Sequence, residues 1–332
     1  YMRTAKSVCP ECSTGCNIYS EQAEDVVYRY RPRYNDQVND SWMCDPGRLS
    51  SARVADTRDR LVEPLARERD GLRPVGWSEA IERAAGRLKE LSGSVAAIAH
   101  PRMSNEDLWE LSRLVKAVGG SAVDFRADDS WKGVDDLTDG ILIRRDPNPN
   151  TRGALEILGL DGESRVGEIL DAVTGGSVRG LIVCGWGAES LGEHGKRALE
   201  TAEWVLFVGP RRTSLLEHAD LVLPTCVHVE RDGTFTNYAS RVQRFWPNVT
   251  PYEESRPEWR ALSAITEALG GGAAPGSAAE SFDGLASEVA AYAELSFATV
   301  GDQGAWLAGS EKAGMPPVGA EPKPGIRAPI IV

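Results

Sequence analysis

Cys9-Pro10-Glu11-Cys12-Ser13-Thr14-Gly15-Cys16 is the stretch that decides the architecture, together with the more distant Cys44. Four of the six cysteines therefore lie in the first 44 residues, in the order C-x2-C-x3-C-x27-C. This spacing predicts a [4Fe-4S] cluster, because such a cluster needs four thiolates at four corners of a cube. Three closely spaced ligands can cover one side of the cube, and a distant fourth can close the other. Gly15 and Gly47 predict tight backbone turns near the sulfurs.

Two other interpretations of these cysteines stay open from spacing alone. Zinc also binds four cysteines, and C-x2-C is common in zinc sites. Zinc sites usually pair two C-x2-C segments, however, whereas here the second segment contributes only Cys44. Structural disulfides are the third interpretation, although three cysteines within eight residues do not pair readily and nothing else indicates secretion.

Composition excludes several classes of function. The chain has 332 residues with 42% hydrophobic content, which is enough to bury a sizeable core. Its 49 acidic and 37 basic side chains give a net charge of −12. This charge argues against nucleic acid as a partner, because phosphate binding depends on clustered Lys and Arg. The sequence contains no run of about 18 apolar residues that could span a bilayer.

The central part of the chain alternates between predicted strands and helices. Apolar runs at Ser94–His100, Val178–Cys184 and Trp204–Val208 predict buried strands, and Ser104 with Asp107 predicts a capping box that begins a helix. This alternation predicts a doubly wound, Rossmann-like α/β body behind a small cluster-binding domain. The expected domains are residues 1–58 for the cluster, 59–269 for the α/β body, and 270–332 for a linker, a helix and a Pro/Gly-rich tail.

A few local features carry weaker predictions. Gly140–Ile143 is expected to form a short strand, and Gly185-Trp186-Gly187 is only weak support for nucleotide binding because G-x-G lacks a third glycine. His228 lies beside Glu230, but without a nucleophile or a metal triad we interpret the histidines as structural. Arg48 either lies beside the cluster and raises its potential or is a solvated surface side chain.

Beyond the cysteines, three later stretches occur in an order that is characteristic of a known family. With the cysteine segment, the chain resembles the molybdopterin oxidoreductase superfamily, and within it the G-subunit family of bacterial NADH-quinone oxidoreductase, respiratory complex I. The cysteine spacing resembles an additional [4Fe-4S] cluster found in some bacterial versions of that protein. The three later stretches are Asp146–Gly153, Ala219–Pro224, and Gly233–Asn237 with Arg241–Arg244.

The resemblance implies an electron-transfer role. Cys9, Cys12, Cys16 and Cys44 would hold one [4Fe-4S] cluster, with no catalytic residue in the chain. Expected partners are the flavin/NADH-side and quinone-side iron–sulfur subunits of a large redox complex. The implied location is cytoplasmic, peripheral to the plasma membrane through those partners. In that family a ferredoxin-like region precedes this segment, so the sequence is expected to be part of a longer protein.

Three departures from catalytic members of the superfamily argue against a bound molybdopterin. Asp45-Pro46 stands where those members usually carry a Lys, and the body is shorter. Cys184 and Cys226 do not lie where their metal ligand is found, so we expect both to be small buried core residues. The alternatives are a molybdopterin-dependent formate dehydrogenase or a component of an NAD-reducing hydrogenase, and a zinc-stapled binding module.

Overall fold

The computed structural model describes residues 1–125, 137–185 and 188–310. Residues 311–332 of the expected tail, and residues 186 and 187 of the Gly-Trp-Gly motif, lie outside the described residues. Within the part that is described, no helix is both long and apolar enough to cross a membrane.

The N-terminal sheet frames the first three cysteines. It is antiparallel in the order β1-β2-β3, with β1 at Arg3–Val8, β2 at Asn17–Ala23 and β3 at Val26–Pro32. Val8 pairs with Asn17, so residues 9–16 form the connection between the first two strands; we call these residues the cluster loop. Two short helices follow, α1 at Asp45–Leu49 and α2 at Ser51–Ala55.

A seven-stranded sheet forms the body, in the order β5-β4-β10-β9-β8-β6-β7. The five strands from β10 to β7 run parallel, and β4 and β5 add an antiparallel edge. The three central strands are buried along their whole length, which is typical of a parallel sheet covered on both faces. The strands are β4 Leu65–Glu68, β5 Gly71–Pro74, β6 Val95–Ala99, β7 Ala122–Phe125, β8 Gly180–Cys184, β9 Trp204–Gly209 and β10 Leu221–Pro224.

Helices cover both faces of this sheet, as the doubly wound prediction requires. Along β6, Val95, Ala97 and Ala99 face one apolar core, and Ala96 and Ile98 face the other, because side chains alternate across a strand. The first core is closed by α3, α4 and α8, and the second by α6 and α7. These helices are α3 Trp77–Glu90, α4 Asn105–Ala117, α6 Val166–Thr174, α7 Gly192–Thr201 and α8 Glu258–Ala268.

A third, small sheet joins the body to the N-terminal unit. It has the order β11-β12-β13; helices α9 and α10 lie in the same part of the chain, and the earlier helix α5 contacts β11. Phe282, Leu285 and Tyr292 are fully buried in the first core, so residues after 270 pack closely on the body up to Leu307. The domain boundaries at residues 58 and 269 stay predictions. The remaining elements are α5 Thr151–Leu158, β11 Gly233–Thr236, β12 Arg241–Phe245, α9 Ala278–Glu288, α10 Phe297–Val300 and β13 Ala305–Trp306.

Candidate iron–sulfur site

The four cysteines singled out by their spacing come from two short segments that meet. Cys9, Cys12 and Cys16 are buried in the cluster loop, and the half-buried Cys44 precedes the first residue of α1. The amide nitrogen of Cys9 donates to the carbonyl oxygen of Cys16 at 2.8 Å, which closes the loop on itself.

The distances around Gly47 show how closely the two segments approach each other. A Cβ atom on Gly47 would lie 3.1 Å from the sulfur of Cys9 and 3.2 Å from the sulfur of Cys44. Both thiols therefore border the same small space, which is kept clear because residue 47 has no side chain. The amide nitrogen of Gly47 also donates to the sulfur of Cys44 at 3.4 Å.

Burial and the neighbouring thiols raise the pKa values of Cys9, Cys16 and Cys44. Burial raises the pKa of Cys9, and a Cys12 thiolate raises it further. Burial likewise raises the pKa of Cys16, with additional increases from Cys9, Cys12 and Cys44. Burial also raises the pKa of Cys44. Four thiolates cannot share this buried space without a compensating positive charge, and a bound metal centre supplies one.

The donor set fits a [4Fe-4S] cluster. A cubane cluster takes one thiolate at each of four separate corners. The space that the missing side chain at Gly47 leaves beside the sulfurs of Cys9 and Cys44 is consistent with this requirement.

Backbone contacts from distant segments hold the cluster loop in place. The amide nitrogen of Ser13 donates to the carbonyl oxygen of Asp146, and the Ser13 carbonyl oxygen accepts from the amide of Tyr238, both at 3.0 Å. The hydroxyl of Thr14 donates to the carbonyl oxygen of Leu142. Residues in or next to two of the family-like stretches therefore hold the cluster loop in place through hydrogen bonds.

Two side-chain amides, one between β11 and β12 and one on β12, also hold the cluster loop. The Asn237 amide nitrogen donates to the carbonyl oxygen of Thr14 at 3.2 Å, and that of Gln243 donates to the carbonyl oxygen of Gly15 at 2.7 Å. Gly15 has φ of +62°, and a Cβ there would lie 3.0 Å from the Gln243 Oε1 atom. Glycine is the residue that meets both requirements without strain. The sequence pointed to these stretches by resemblance only, and nothing in it indicated their contact with the cluster loop.

A cavity of about 300 Å³ lies between the cluster loop and the carboxyl edge of the parallel strands. Its wall includes Pro10 and Glu11 of the loop, together with Cys184 and Cys226. Both of these cysteines are buried, as expected, and burial raises the pKa of each, so they are neutral thiols. Their position at a shared cavity wall was not expected. The sequence signal for it is that Cys184 ends β8 and Cys226 lies two residues beyond β10, both at the carboxyl edge of the parallel sheet.

The buried histidine beside the cluster loop is structural in its contacts. The Nε2 atom of His228 lies 3.1 Å from the hydroxyl of Tyr30, and both side chains are buried. Burial lowers the pKa of His228 to about 3, so the imidazole is neutral near pH 7. Its neighbour Glu230 is engaged with Arg60, whose guanidinium donates to both carboxylate oxygens at 2.6 and 2.8 Å.

Comparison with protein families agrees with this geometry. Residues 2–56 match the family model described as the molybdopterin oxidoreductase Fe4S4 domain. Residues 60–139 and 192–268 match the model described as molybdopterin oxidoreductase, so that the two models together cover more than half of the chain. The chain belongs to the molybdopterin oxidoreductase family. The family resemblance and the α/β fold class predicted from the sequence are both confirmed.

The relatives that the chain resembles in sequence include G subunits of NADH-quinone oxidoreductase. The chain is 35% identical over 126 residues to the G subunit from Streptomyces coelicolor, which covers 37% of the chain and 15% of that protein. It is also 35% identical over 114 residues to the G subunit from Escherichia coli strain K12, covering 34% of the chain and 12% of that protein. The matched segments thus span 15% or less of the length of these relatives.

A solved structure shares the fold at much lower sequence similarity. Acetylene hydratase from Pelobacter acetylenicus superposes with a TM-score of 0.50 over 80% of this chain and 69% of its own. The sequence identity is 9%, so the likeness describes the fold alone.

Proposed function

We propose that this chain is an iron–sulfur electron-transfer subunit of a multi-subunit NADH:quinone oxidoreductase. In this proposal Cys9, Cys12, Cys16 and Cys44 hold one [4Fe-4S] cluster on a non-catalytic α/β body. The observation that carries it is that the sulfur of Cys9, from the cluster loop, and the sulfur of Cys44, from the segment before α1, border the same space at Gly47. The relatives from NADH-quinone oxidoreductase support the choice of parent complex.

The chain's own residues would bind and shield the cluster. When bound, a [4Fe-4S] cluster takes up and releases one electron without making or breaking a covalent bond. The protein excludes water by burying three of the four thiols, and the Gly47 amide donates a hydrogen bond to the fourth sulfur. The contacts from Asp146, Tyr238 and Gln243 hold the cluster loop in one conformation, which favours fast electron transfer because little rearrangement is needed.

The partners follow from the same proposal. They would be the flavin/NADH-side and quinone-side iron–sulfur subunits, which would attach this chain to the cytoplasmic face of the membrane. NAD-reducing hydrogenases and NAD-dependent formate dehydrogenases use similar electron-transfer parts, so they are the alternative parent complexes.

One observation favours a second candidate, a molybdopterin-dependent enzyme. The cavity of about 300 Å³ lies beside the cluster loop at the sheet edge where α/β proteins commonly bind ligands. Against this candidate, the thiols of Cys184 and Cys226 are neutral because of burial, and Asp45-Pro46 follows the fourth cysteine. We therefore propose that the body carries no molybdopterin.

Metal analysis of the anaerobically purified chain tests the proposal, combined with an electron paramagnetic resonance (EPR) spectrum after dithionite reduction. We expect about four irons per chain, no molybdenum or tungsten, and the signal of a reduced [4Fe-4S] cluster. Zinc without an EPR signal would replace the proposal with a zinc-stapled binding module, and molybdenum or tungsten would favour the second candidate.

Matched cysteine variants test the ligand assignment. Cys16→Ser should lose most of the iron, because it removes a ligand from the cluster loop. Cys184→Ser should keep the wild-type iron content, since its buried thiol lies outside that loop. Equal iron loss from the two variants would contradict the assignment.

A further inference from the structure

Arg102 links the body directly to the cluster loop. It follows β6 at the carboxyl edge of the parallel sheet, and its guanidinium donates in two directions. One nitrogen donates to the carbonyl oxygen of Pro10 at 2.7 Å, between the ligands Cys9 and Cys12. The other donates to the carbonyl oxygen of Pro147 at 2.9 Å. A planar guanidinium suits this double contact, because its N–H groups are held in a fixed fork.

The same side chain brings a permanent positive charge to the loop. Its guanidinium lies 4.0 Å from the carboxylate of Glu11, and the side chain is partly buried. Burial lowers the pKa of Arg102, while the Glu11 carboxylate and, to a smaller extent, a Cys9 thiolate act in the opposite direction. An arginine stays protonated even after such a decrease. Partial burial also reduces the screening of its charge by solvent and salt.

Two other arginines near the cluster loop, Arg48 and Arg53, are less well placed for this role. Arg48 follows Cys44 in the sequence, but its side chain is exposed on α1. Arg53 pairs with Glu11, yet 68% of its side chain is exposed to solvent. Among the side chains described here as donating to the carbonyl oxygens of the cluster loop, Asn237 and Gln243 are neutral and Arg102 is charged.

We propose that Arg102 is a positioning residue that holds the cluster loop and also raises the reduction potential of the bound cluster. This inference rests on the proposed function. One-electron reduction makes the cluster more negative by one charge, and a fixed cation nearby stabilises that reduced state. The two carbonyl contacts fix where the charge sits, so geometry and potential depend on the same side chain.

Arg67 offers a matched control at the opposite edge of the sheet. Its guanidinium also donates to backbone carbonyl oxygens, those of Ala219 and Leu216 at 2.8 Å and of Glu217 at 3.0 Å. Its backbone amide donates to the carbonyl oxygen of Asp220, which precedes the amino end of β10. Arg67→Gln therefore removes similar guanidinium–carbonyl contacts far from the carboxyl edge where the cluster loop lies.

The test is a redox titration followed by EPR, with the rate of iron release to a chelator as a second readout. We expect Arg102→Gln to lower the equilibrium constant for cluster reduction about tenfold, which corresponds to ~59 mV for a one-electron couple. It should also release iron faster. Arg102→Lys keeps the charge but not the fork, so its potential should stay close to the wild-type value while iron release is faster. Arg67→Gln should change neither quantity.

The outcomes separate this inference from the proposed function. A wild-type chain without iron or a reduced-cluster signal would overturn the proposed function. An iron-loaded wild type with an unchanged potential in Arg102→Gln would overturn this inference alone, as would an equal change in Arg67→Gln. Should Arg102→Gln retain no cluster, Arg102→Lys decides. A near-wild-type potential with faster iron release supports the proposal, and an equilibrium constant for cluster reduction that is about tenfold lower overturns it.

Discussion

The side-chain amide of Gln243 donates a 2.7 Å hydrogen bond to the carbonyl oxygen of Gly15, across 228 positions of sequence. Gln243 is buried on β12, and Gly15 lies in the cluster loop between two of the proposed ligands. The contact joins a stretch late in the chain to the N-terminal cysteine segment. The third sheet therefore supports the cluster loop directly without supplying any of the proposed ligands.

We expect Gln243→Met to weaken cluster retention. Methionine fills a similar volume but has no donor, so the buried Gly15 carbonyl loses its partner at a cost of about 1–3 kcal/mol. The variant should fold and bind iron, but it should release the iron to a chelator faster than wild type. Gln303→Met is the control, because the side chain of Gln303 is exposed and should not affect release. Equal release from the two variants would show that this contact does not stabilise the loop.

Gly47→Ala should interfere with the cluster itself. The added methyl would lie 3.1 Å from the Cys9 sulfur and 3.2 Å from the Cys44 sulfur, inside the space that the thiols border. We expect a large loss of iron per chain with the secondary structure retained. Gly86→Ala on α3 is the matched control, since a Cβ there meets no atom within 4 Å. It should bind iron normally and stabilise the helix by roughly 0.5–1 kcal/mol. Normal iron content in Gly47→Ala would contradict the placement of the cluster.

Local sequence signals predicted local structure well. The apolar runs at β6, β8 and β9 are strands of a parallel sheet, and the predicted capping box at the start of α4 is present, with Ser104 and Asp107 exchanging side-chain-to-backbone hydrogen bonds. The close approach of the Cys9 and Cys44 sulfurs also follows the spacing argument. These features depend on residues within a few positions of each other or on strong chemical preferences.

Predictions failed where polar side-chain or backbone contacts decide the structure. The strand expected at Gly140–Ile143 is wrong, because the Asp139 carboxylate accepts from the amides of residues 141 to 143 and holds a turn. Arg102 and Asp146 hold the cluster loop through backbone carbonyl groups, which every residue possesses. Such contacts leave no residue-type signal at the accepting position, so the sequence could not reveal how the body supports the loop.

A buried carboxylate between α4 and β11 makes stability depend on pH. The Glu106 carboxylate is fully buried and accepts from the hydroxyl and the amide of Thr234, at 2.7 and 3.0 Å. Burial raises its pKa from 4.5 to about 7, with a smaller increase from the neighbouring Asp107. The folded state therefore binds this proton more tightly than the unfolded state. The contribution of Glu106 to the free energy of unfolding is therefore fully present below about pH 4.5, and it is lost as the pH rises through 7.

We expect Glu106→Gln to remove this dependence, because a carboxamide does not titrate. The free energy of unfolding of the variant relative to wild type should rise between pH 4.5 and 7, by at most about 1.4 kcal/mol per pH unit, and level off above that range. Urea unfolding under argon at several pH values measures the difference. His100 and His228, whose pKa values burial lowers to about 3, titrate in both proteins and largely cancel. Glu82→Gln, at an exposed position of α3, should give a flat difference; a flat difference for Glu106→Gln as well would mean that Glu106 does not titrate in this range.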